Sequence, residues 1–202
     1  MDKIIAVYSK YAQRFIEEYT QLDAATVHSS WSECLPLPPG KALDIGAGSG
    51  RDAAWLDHMG YKVTAVEPAC RLRELAEIKT PKVTWLDDRL PDLKKVRELQ
   101  TKFDVILISA VWMHLTSRER ELSLGHIVQL LNKQGRLIIT LRFGPNLNRE
   151  RKMYPVSVKE LKQQALQHAL TFLKSSSSRD YLQRSQVSWE AIVLTHEVNQ
   201  YG

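Results

Sequence analysis

Apolar positions along this chain recur in two periods that take turns. KALDIGA (41–47) is a short apolar run ending in a glycine loop, and RDAAWLDHM follows with Ala53, Leu56 and Met59 at helical spacing until Gly60 stops it. KVTAVEP (62–68) predicts a second strand, 69–79 a helix, KVTWLDD (82–88) a third strand, and 91–101 another helix. FDVILISA (103–110) is almost unbroken in its apolarity, as a strand buried on both faces must be. Leu124, Ile127, Val128 and Leu131 mark the inner stripe of a helix expected to end at Lys133 and Gly135, with RLIITLR (136–142) as the fifth strand. Ser157 and Glu160 form a capping box, S-x-x-E, that opens a helix running to 168.

Strands alternating with helices at this rhythm predict an α/β fold with a doubly wound parallel sheet and right-handed crossovers. The ending departs from it. LTFLKS (170–175) and VSWEAIVLTHE (187–197) are joined by a polar linker, SSSSRDYLQRSQ, too short for a crossover helix, so an antiparallel pair is expected at one sheet edge. Upstream, Ala12, Phe15, Ile16 and Tyr19 predict one amphipathic helix, which PLPPG (36–40) separates from the core. A length of 202 residues suits one domain: an N-terminal helical segment (1–35), a core (41–142), and a closing helix and strand pair (143–202).

Composition narrows the classes. Hydrophobic residues at 44% and charged residues at 25% exclude collagen, coiled coil and wholesale disorder. The longest apolar runs, such as VILISAVWM, are about half of a bilayer span. MDKIIAVYSKYAQRF has no apolar stretch leading to a small-residue cleavage site, so a cytoplasmic protein with no membrane partner is expected. Cys34 and Cys70 form no C-x-x-C pair and are expected as free thiols. The net charge of +5 comes from small scattered groups, Arg71/Arg73, Lys94/Lys95/Arg97 and Arg149/Arg151/Lys152, which suit solvated helix faces; nucleic acid is not the expected partner. No His/Cys/Asp cluster has metal-ligand spacing, so no metal is expected.

The sharpest chemical signal is Asp44-Ile-Gly46-Ala47-Gly48-Ser49-Gly50 at the carboxyl end of the first strand. Ligands of open α/β sheets sit beyond that end, and the helix starting near Arg51 points free N–H groups and its positive dipole end there. A dinucleotide site would want a third glycine where Arg51 stands, and Asp44 would repel a pyrophosphate. A ligand bearing both a carboxylate and an ammonium group satisfies the loop and Asp44 together. Glu67 closes the second strand, where a carboxylate can accept both hydroxyls of an unphosphorylated ribose. Asp87 and Asp88 close the third, where a carboxylate can accept the exocyclic amine of adenine.

With those acids in place, LDIGAGSG (43–50), VTAVEPA (63–69), WLDDRLPDL (85–93), FDVILISAVWMHLT (103–116) and LLNKQGRLIITLR (130–142) resemble, in order, the motifs of class I S-adenosylmethionine-dependent methyltransferases. The resemblance implies a Rossmann-like seven-stranded sheet, mostly parallel with an antiparallel C-terminal strand, helices on both faces, and S-adenosylmethionine as cofactor. It implies that Asp44 and the turn Gly46, Ala47, Gly48, Ser49 hold the methionine part, Glu67 with Pro68 the ribose, and Asp87 or Asp88 the adenine. Ser109 and Ala110 sit where backbone lines the cofactor. YSKYAQRFIEEY resembles the tyrosine-bearing lid helix of small members, with Tyr8 or Tyr11 near the methionine carboxylate; Tyr11 is the contact expected.

Four residues past Ala110, His114 is the candidate general base, its ordinary pKa lying near operating pH. Trp112 and Met113 are pocket wall or core. Arg142, Phe143 and Tyr154 border the expected acceptor cavity, so Trp112, Arg142 and Tyr154 are the candidate acceptor contacts. An inward Arg142 would favour an acidic acceptor; an outward one would be a surface or salt-bridge residue. His28 and Trp31 reach the cavity if their segment folds over it, while His58, His126, His168 and His196 are expected to be structural or solvated. The expected activity is methyl transfer to a small molecule, releasing S-adenosylhomocysteine. Ser109-Ala-Val-Trp112 stands where nucleic-acid amino-methylating relatives carry D/N-P-P-Y/F, and neither cysteine sits where a cytosine-methylating nucleophile is needed. A protein or RNA acceptor, supported by the 149–152 group, and a non-catalytic cofactor-binding protein are the alternatives; a NAD-linked oxidoreductase is disfavoured by Arg51.

Overall fold

The computed structural model describes residues 2–146 and 150–196. Its strands are β1 (Gly40–Ile45), β2 (Tyr61–Val66), β3 (Thr84–Leu86), β4 (Phe103–Ile108), β5 (Leu131–Phe143), β6 (Leu170–Arg179) and β7 (Ser188–His196). They form a single seven-stranded sheet in the order β3-β2-β1-β4-β5-β7-β6. The first five pair in parallel, and β7 runs antiparallel between β5 and β6. The fold is therefore the expected Rossmann-like α/β sheet with its reversed strand near the C-terminus.

Helices α1 (Asp2–Lys10), α2 (Ala12–Thr20), α3 (Ala24–His28), α4 (Arg51–His58), α5 (Cys70–Lys79), α6 (Lys94–Glu98), α7 (Ser117–Leu130) and α8 (Val158–Gln167) cover the sheet. Alternate residues of β1 and β4 face two different cores, which explains why both strands are mostly apolar. Leu43, Ile45, Ile106 and Ile108 face a core completed by Leu124 and Ile127 of α7 and Leu161 of α8. Ala42, Val105 and Leu107 face the opposite core, with Ala53 and Leu56 of α4. A third cluster joins Ala12, Phe15 and Ile16 of α2 to Leu72 and Ala76 of α5, fixing the N-terminal segment beside the sheet.

Six local expectations are corrected. The N-terminal segment is three helices rather than one: Tyr11 leaves helical geometry (φ −106°, ψ 24°) between α1 and α2, and the Asp23 carboxylate caps α3 by accepting from the Thr26 N–H at 2.8 Å. Helix α7 ends at Leu130 and passes straight into β5, because Leu131 is extended and pairs with Phe103 before the ladder resumes at Val105 and Arg136. Gly135 serves that irregularity rather than a helix stop; a Cβ there would lie 2.8 Å from the Leu131 side chain. The serines of the expected linker are strand, Ser175–Ser178 pairing with Ile192–Trp189, since an edge strand keeps its outward side chains in water. Ser157 caps α8 by accepting from the Glu160 N–H, but the Glu160 carboxylate turns to Arg120, 3.1 Å away, leaving the box half made. Helix α6 and strand β3 are also shorter than the sequence pattern suggests, at 94–98 and 84–86. Arg149 and the last residue of the expected closing strand, Glu197, lie outside the described residues. Among the described residues no helix is long and apolar enough to cross a membrane.

Candidate functional site

Strands β1 and β4 send their chains to opposite sides of the sheet, and the crevice left at their carboxyl ends is where such a sheet takes ligands. A cleft of about 240 Å³ opens there, walled by the turn after β1, the ends of β2, β4 and β5, helix α1, and the loop between β6 and β7. The turn is held by β2: the N–H groups of Gly46 and Ala47 both donate to the Val66 carbonyl, at 2.8 and 2.9 Å. Gly46 (φ +73°) has no room for a side chain, since a Cβ would meet Val111 at 2.4 Å. Gly48 (φ +55°) is open, its nearest neighbour 3.9 Å away, so a ligand can approach the bare backbone. Beyond it α4 begins, and Arg51 and Asp52 of its first turn line the cleft.

Charge around this turn is unusually buried. Asp44 is 1% exposed, its Oδ2 has no hydrogen-bond partner, and burial together with the charge of Asp52 pushes its carboxyl well above the usual range. Arg51 clasps Asp52 with two bonds, Nε to Oδ1 at 2.7 Å and Nη2 to Oδ2 at 2.9 Å. His28, packed between Trp31 and Trp55, brings Nε2 to 2.9 Å from the same Asp52 Oδ1. Burial opposes ionisation of Asp52, yet His28 and Arg51 hold its carboxyl far below the ordinary value. Glu67 accepts from the Gly48 N–H at 3.0 Å and the Ala69 N–H at 2.8 Å, while burial raises its pKa to about 7.

Across the cleft, His114 sits in the 3-10 turn Trp112–His114 after β4, mostly buried, with its ring edge against Tyr8. Its Nδ1 lies 2.9 Å from the Lys152 carbonyl. A carbonyl only accepts, so the neutral ring carries its proton on Nδ1 and leaves the Nε2 lone pair bare. Burial, reinforced by the charges of Arg151 and Arg142, keeps its pKa below the ordinary 6.5. Arg142, Arg151 and Arg184 line the same side. Arg151 reaches inward to the hydroxyls of Tyr8 and Tyr19, 3.5 and 3.4 Å from its Nη1, and burial drives the Tyr8 pKa to about 12.

Residues 43–139 match the family model of a methyltransferase domain. An uncharacterised methyltransferase of Alkaliphilus oremlandii is 27% identical over 125 residues, 60% of this chain and 56% of that relative. The chain spans little more than half the length of the curated relatives it matches. Its fold superposes on a TehB-like SAM-dependent methyltransferase from Corynebacterium glutamicum with TM-score 0.68 at 23% identity, covering 95% of this chain and 100% of the other. The core of this chain is similar to a methyltransferase domain. A further neighbour is the 1,6-didemethyltoxoflavin-N1-methyltransferase of Burkholderia thailandensis, solved with 1,6-didemethyltoxoflavin and S-adenosylhomocysteine; it gives TM-score 0.71 at 20% identity over 98% of this chain and 88% of that one. At those identities the likeness carries the fold.

Gly46, Ala47, Gly48, Ser49, Glu67 and Pro68 all line the cleft. Asp88, Ser109, Ala110, His114 and Arg142 line it too, and so do His28 and Trp31, whose segment folds over it. Asp44 lies beneath the turn rather than on the wall. The two acids after β3 divide the work: Asp88 is buried and caps α6 and its own loop, accepting from the Val96 and Arg89 N–H groups at 3.0 and 2.8 Å. Asp87 is exposed, 3.4 Å from Arg73, in a neighbouring depression beside Pro68 and Ile5.

Besides Asp44 and Asp87, three candidates do not line the cleft. Trp112 is 1% exposed in the core beneath α7, because the 3-10 turn points it inward and Arg120 binds its carbonyl at 3.2 Å; Met113 forms the wall instead. Tyr154 is drawn away by its N–H bond to the Met113 carbonyl, and its ring lies under the Lys152 ammonium. Tyr11 stands at the α1–α2 break under Lys10, so Tyr8, three residues earlier and nearly one turn away, faces the cleft. Tyr19, Asp52, Arg151, Asp180 and Arg184 also line the cleft, and the sequence marks none of them as a site residue; only the i, i+4 pair Asp180/Arg184 leaves a trace, inside the expected linker. Among the described residues, no group of three or more His, Cys, Asp or Glu is arranged to hold a metal ion.

Proposed function

We propose that this protein transfers a methyl group from S-adenosylmethionine to a small-molecule acceptor and releases S-adenosylhomocysteine. The observation that carries this reading is the buried Asp44 Oδ2, orphaned among the described residues, beneath the turn whose Gly48 backbone is unobstructed. A buried carboxylate oxygen without a partner is costly, and an ammonium group entering beside the turn would relieve it. The residues fit an amino-acid tail on a nucleoside: Asp44 for the ammonium, the α4 N-terminus and Arg51 for the carboxylate, Glu67 for the ribose hydroxyls. Asp87, with its carboxylate uncommitted to backbone, suits the adenine amine better than Asp88.

When bound, S-adenosylmethionine supplies a methyl group made electrophilic by its sulfonium. The protein's task is to hold an acceptor in line with it and take up a proton. Nε2 of His114, left bare on a residue that lines the cleft, accepts that proton as the nucleophile bonds to carbon. The Lys152 carbonyl stabilises the resulting imidazolium through Nδ1–H. A macromolecular acceptor loses support because Arg151, central to the basic group that favoured it, turns inward between two tyrosines.

Calorimetric titration with S-adenosylhomocysteine, paired with methyl-label transfer to protein, RNA and small-molecule fractions, tests this function. Heat on titration with label in the small-molecule fraction is expected. No heat, or label confined to macromolecules, overturns it.

A further inference from the structure

The acceptor side of the cleft holds an imbalance of charge that methyl transfer itself does not require. Three guanidinium groups line it from three separate segments: Arg142 at the end of β5, Arg151 before α8, and Arg184 between β6 and β7. Of the carboxylates lining the cleft, Asp52, Glu67 and Asp88 belong to the β1–β3 side, leaving Asp180 alone on this one. Asp180 is already saturated. It takes the Nε of Arg184 at 2.9 Å, Nη2 at 2.6 Å, the backbone N–H of Arg184 at 2.9 Å and the indole N–H of Trp189 at 2.8 Å.

Among the described residues, Arg142 and Arg151 have only neutral hydrogen-bond acceptors. Arg142 donates to the carbonyls of Gly144 and Pro145, at 3.3 and 3.0 Å, and Arg151 reaches two tyrosine hydroxyls at the limit of hydrogen bonding. The Nε of each is buried and has no partner. Buried guanidinium N–H groups aimed at no acceptor mark a place where an oxyanion belongs. The three charges also feel one another: burial and the nearness of Arg184 and Arg151 make Arg142 release its proton more readily.

We infer that Arg142 and Arg151, steadied by the Arg184–Asp180 pair, form an oxyanion subsite that binds a carboxylate or phosphate group of the acceptor and turns its nucleophile toward His114. The inference rests on the proposed methyl transfer. One short segment serves both ends of the arrangement: Arg151 faces the anion while the carbonyl of Lys152 orients the base. A neutral or cationic acceptor would leave two guanidinium groups with only the already engaged Asp180 as counter-charge.

The test titrates protein saturated with S-adenosylhomocysteine against inorganic phosphate and, separately, acetate. One or both should bind, whichever is tighter naming the anion, and Arg142→Gln should weaken that binding at least tenfold while Arg142→Lys restores part of it. Affinity for S-adenosylhomocysteine and the thermal transition of both variants should stay at the parent values. Absence of binding by either anion, or equal binding in Arg142→Gln, overturns the subsite while leaving the methyl-transfer reading intact. Failure to bind S-adenosylhomocysteine at all overturns both. As a second arm, label transferred to an acceptor mixture should elute among molecules retained on an anion exchanger; label confined to the unretained fraction also overturns the subsite.

Discussion

Nδ1 of His114 and the carbonyl oxygen of Lys152 lie 2.9 Å apart, joining the turn after β4 to the segment before α8. That single contact sets the tautomer of the imidazole, and the tautomer decides which nitrogen can act. His114→Ala should lower kcat by about 10²–10⁴-fold, the range for loss of a positioned general base, with little change in cofactor affinity. The parent's kcat/KM should be flat at and above neutral pH and fall on acidification only below the ordinary histidine value of 6.5, because burial and two arginines disfavour the imidazolium. A variant that retains the same acid limb would place the base elsewhere.

Glu67 gives a second pH signature, of opposite sign. The folded protein holds its proton up to about pH 7, whereas the unfolded chain releases it near 4.5. The folded state therefore binds more protons in that window, and this group's contribution is fully present below 4.5 and lost as pH rises through about 7. The loss is on the order of 3 kcal/mol. Thermal melts of the ligand-free protein should show this decline, and Glu67→Ala should flatten it. The same variant should bind S-adenosylhomocysteine about 10–100-fold more weakly, since hydrogen bonds to a charged group are worth about 1.5–3 kcal/mol. His114→Ala should not. The reverse order would displace the ribose from Glu67.

The glycine turn separates stability from binding. Gly46→Ala drives a methyl into Val111 in a left-handed conformation, so urea denaturation should show a loss exceeding about 2 kcal/mol. Gly48→Ala meets nothing closer than 3.9 Å and should cost only about 1 kcal/mol, the backbone penalty alone. Its effect belongs to binding, because the added methyl occupies the approach to the bare backbone; S-adenosylhomocysteine affinity should fall while the fold persists.

Trp112 provides the clearest contrast between core and pocket. As a fully buried side chain it should cost about 3–5 kcal/mol of stability when replaced by alanine, measured by chemical denaturation. A Trp112→Phe variant, which keeps most of the volume, should fold and leave KM for the acceptor unchanged. A selective rise in KM would return Trp112 to the acceptor wall.

Local chemistry explains what could be read along the chain. The strands buried on both faces, 103–108 above all, announce themselves because nearly every position is apolar, Asp104 alone excepted in that strand. The turn from Asp44 to Gly50 and the acids after β2 and β3 are equally legible, since their conformations and charges are demanded within a few residues. Element ends were less so: Lys133 and Gly135 look like a helix stop, yet pairing of Leu131 with Phe103 draws that stretch into β5. The serine run looks like a loop until β7 offers it a ladder.

The amino-acid order alone determined the alternation of strand and helix, the ligand turn and the acids around it, for these depend on neighbours a few positions apart. Tertiary structure decided which of Tyr8 and Tyr11 faces the cleft, sent Trp112 inward, separated the tasks of Asp87 and Asp88, and gathered Arg142, Arg151 and Arg184 around His114. Residues so far apart in sequence carry no mutual periodicity. Only the packing of the sheet, and the burial of charge it enforces, brings them to one place.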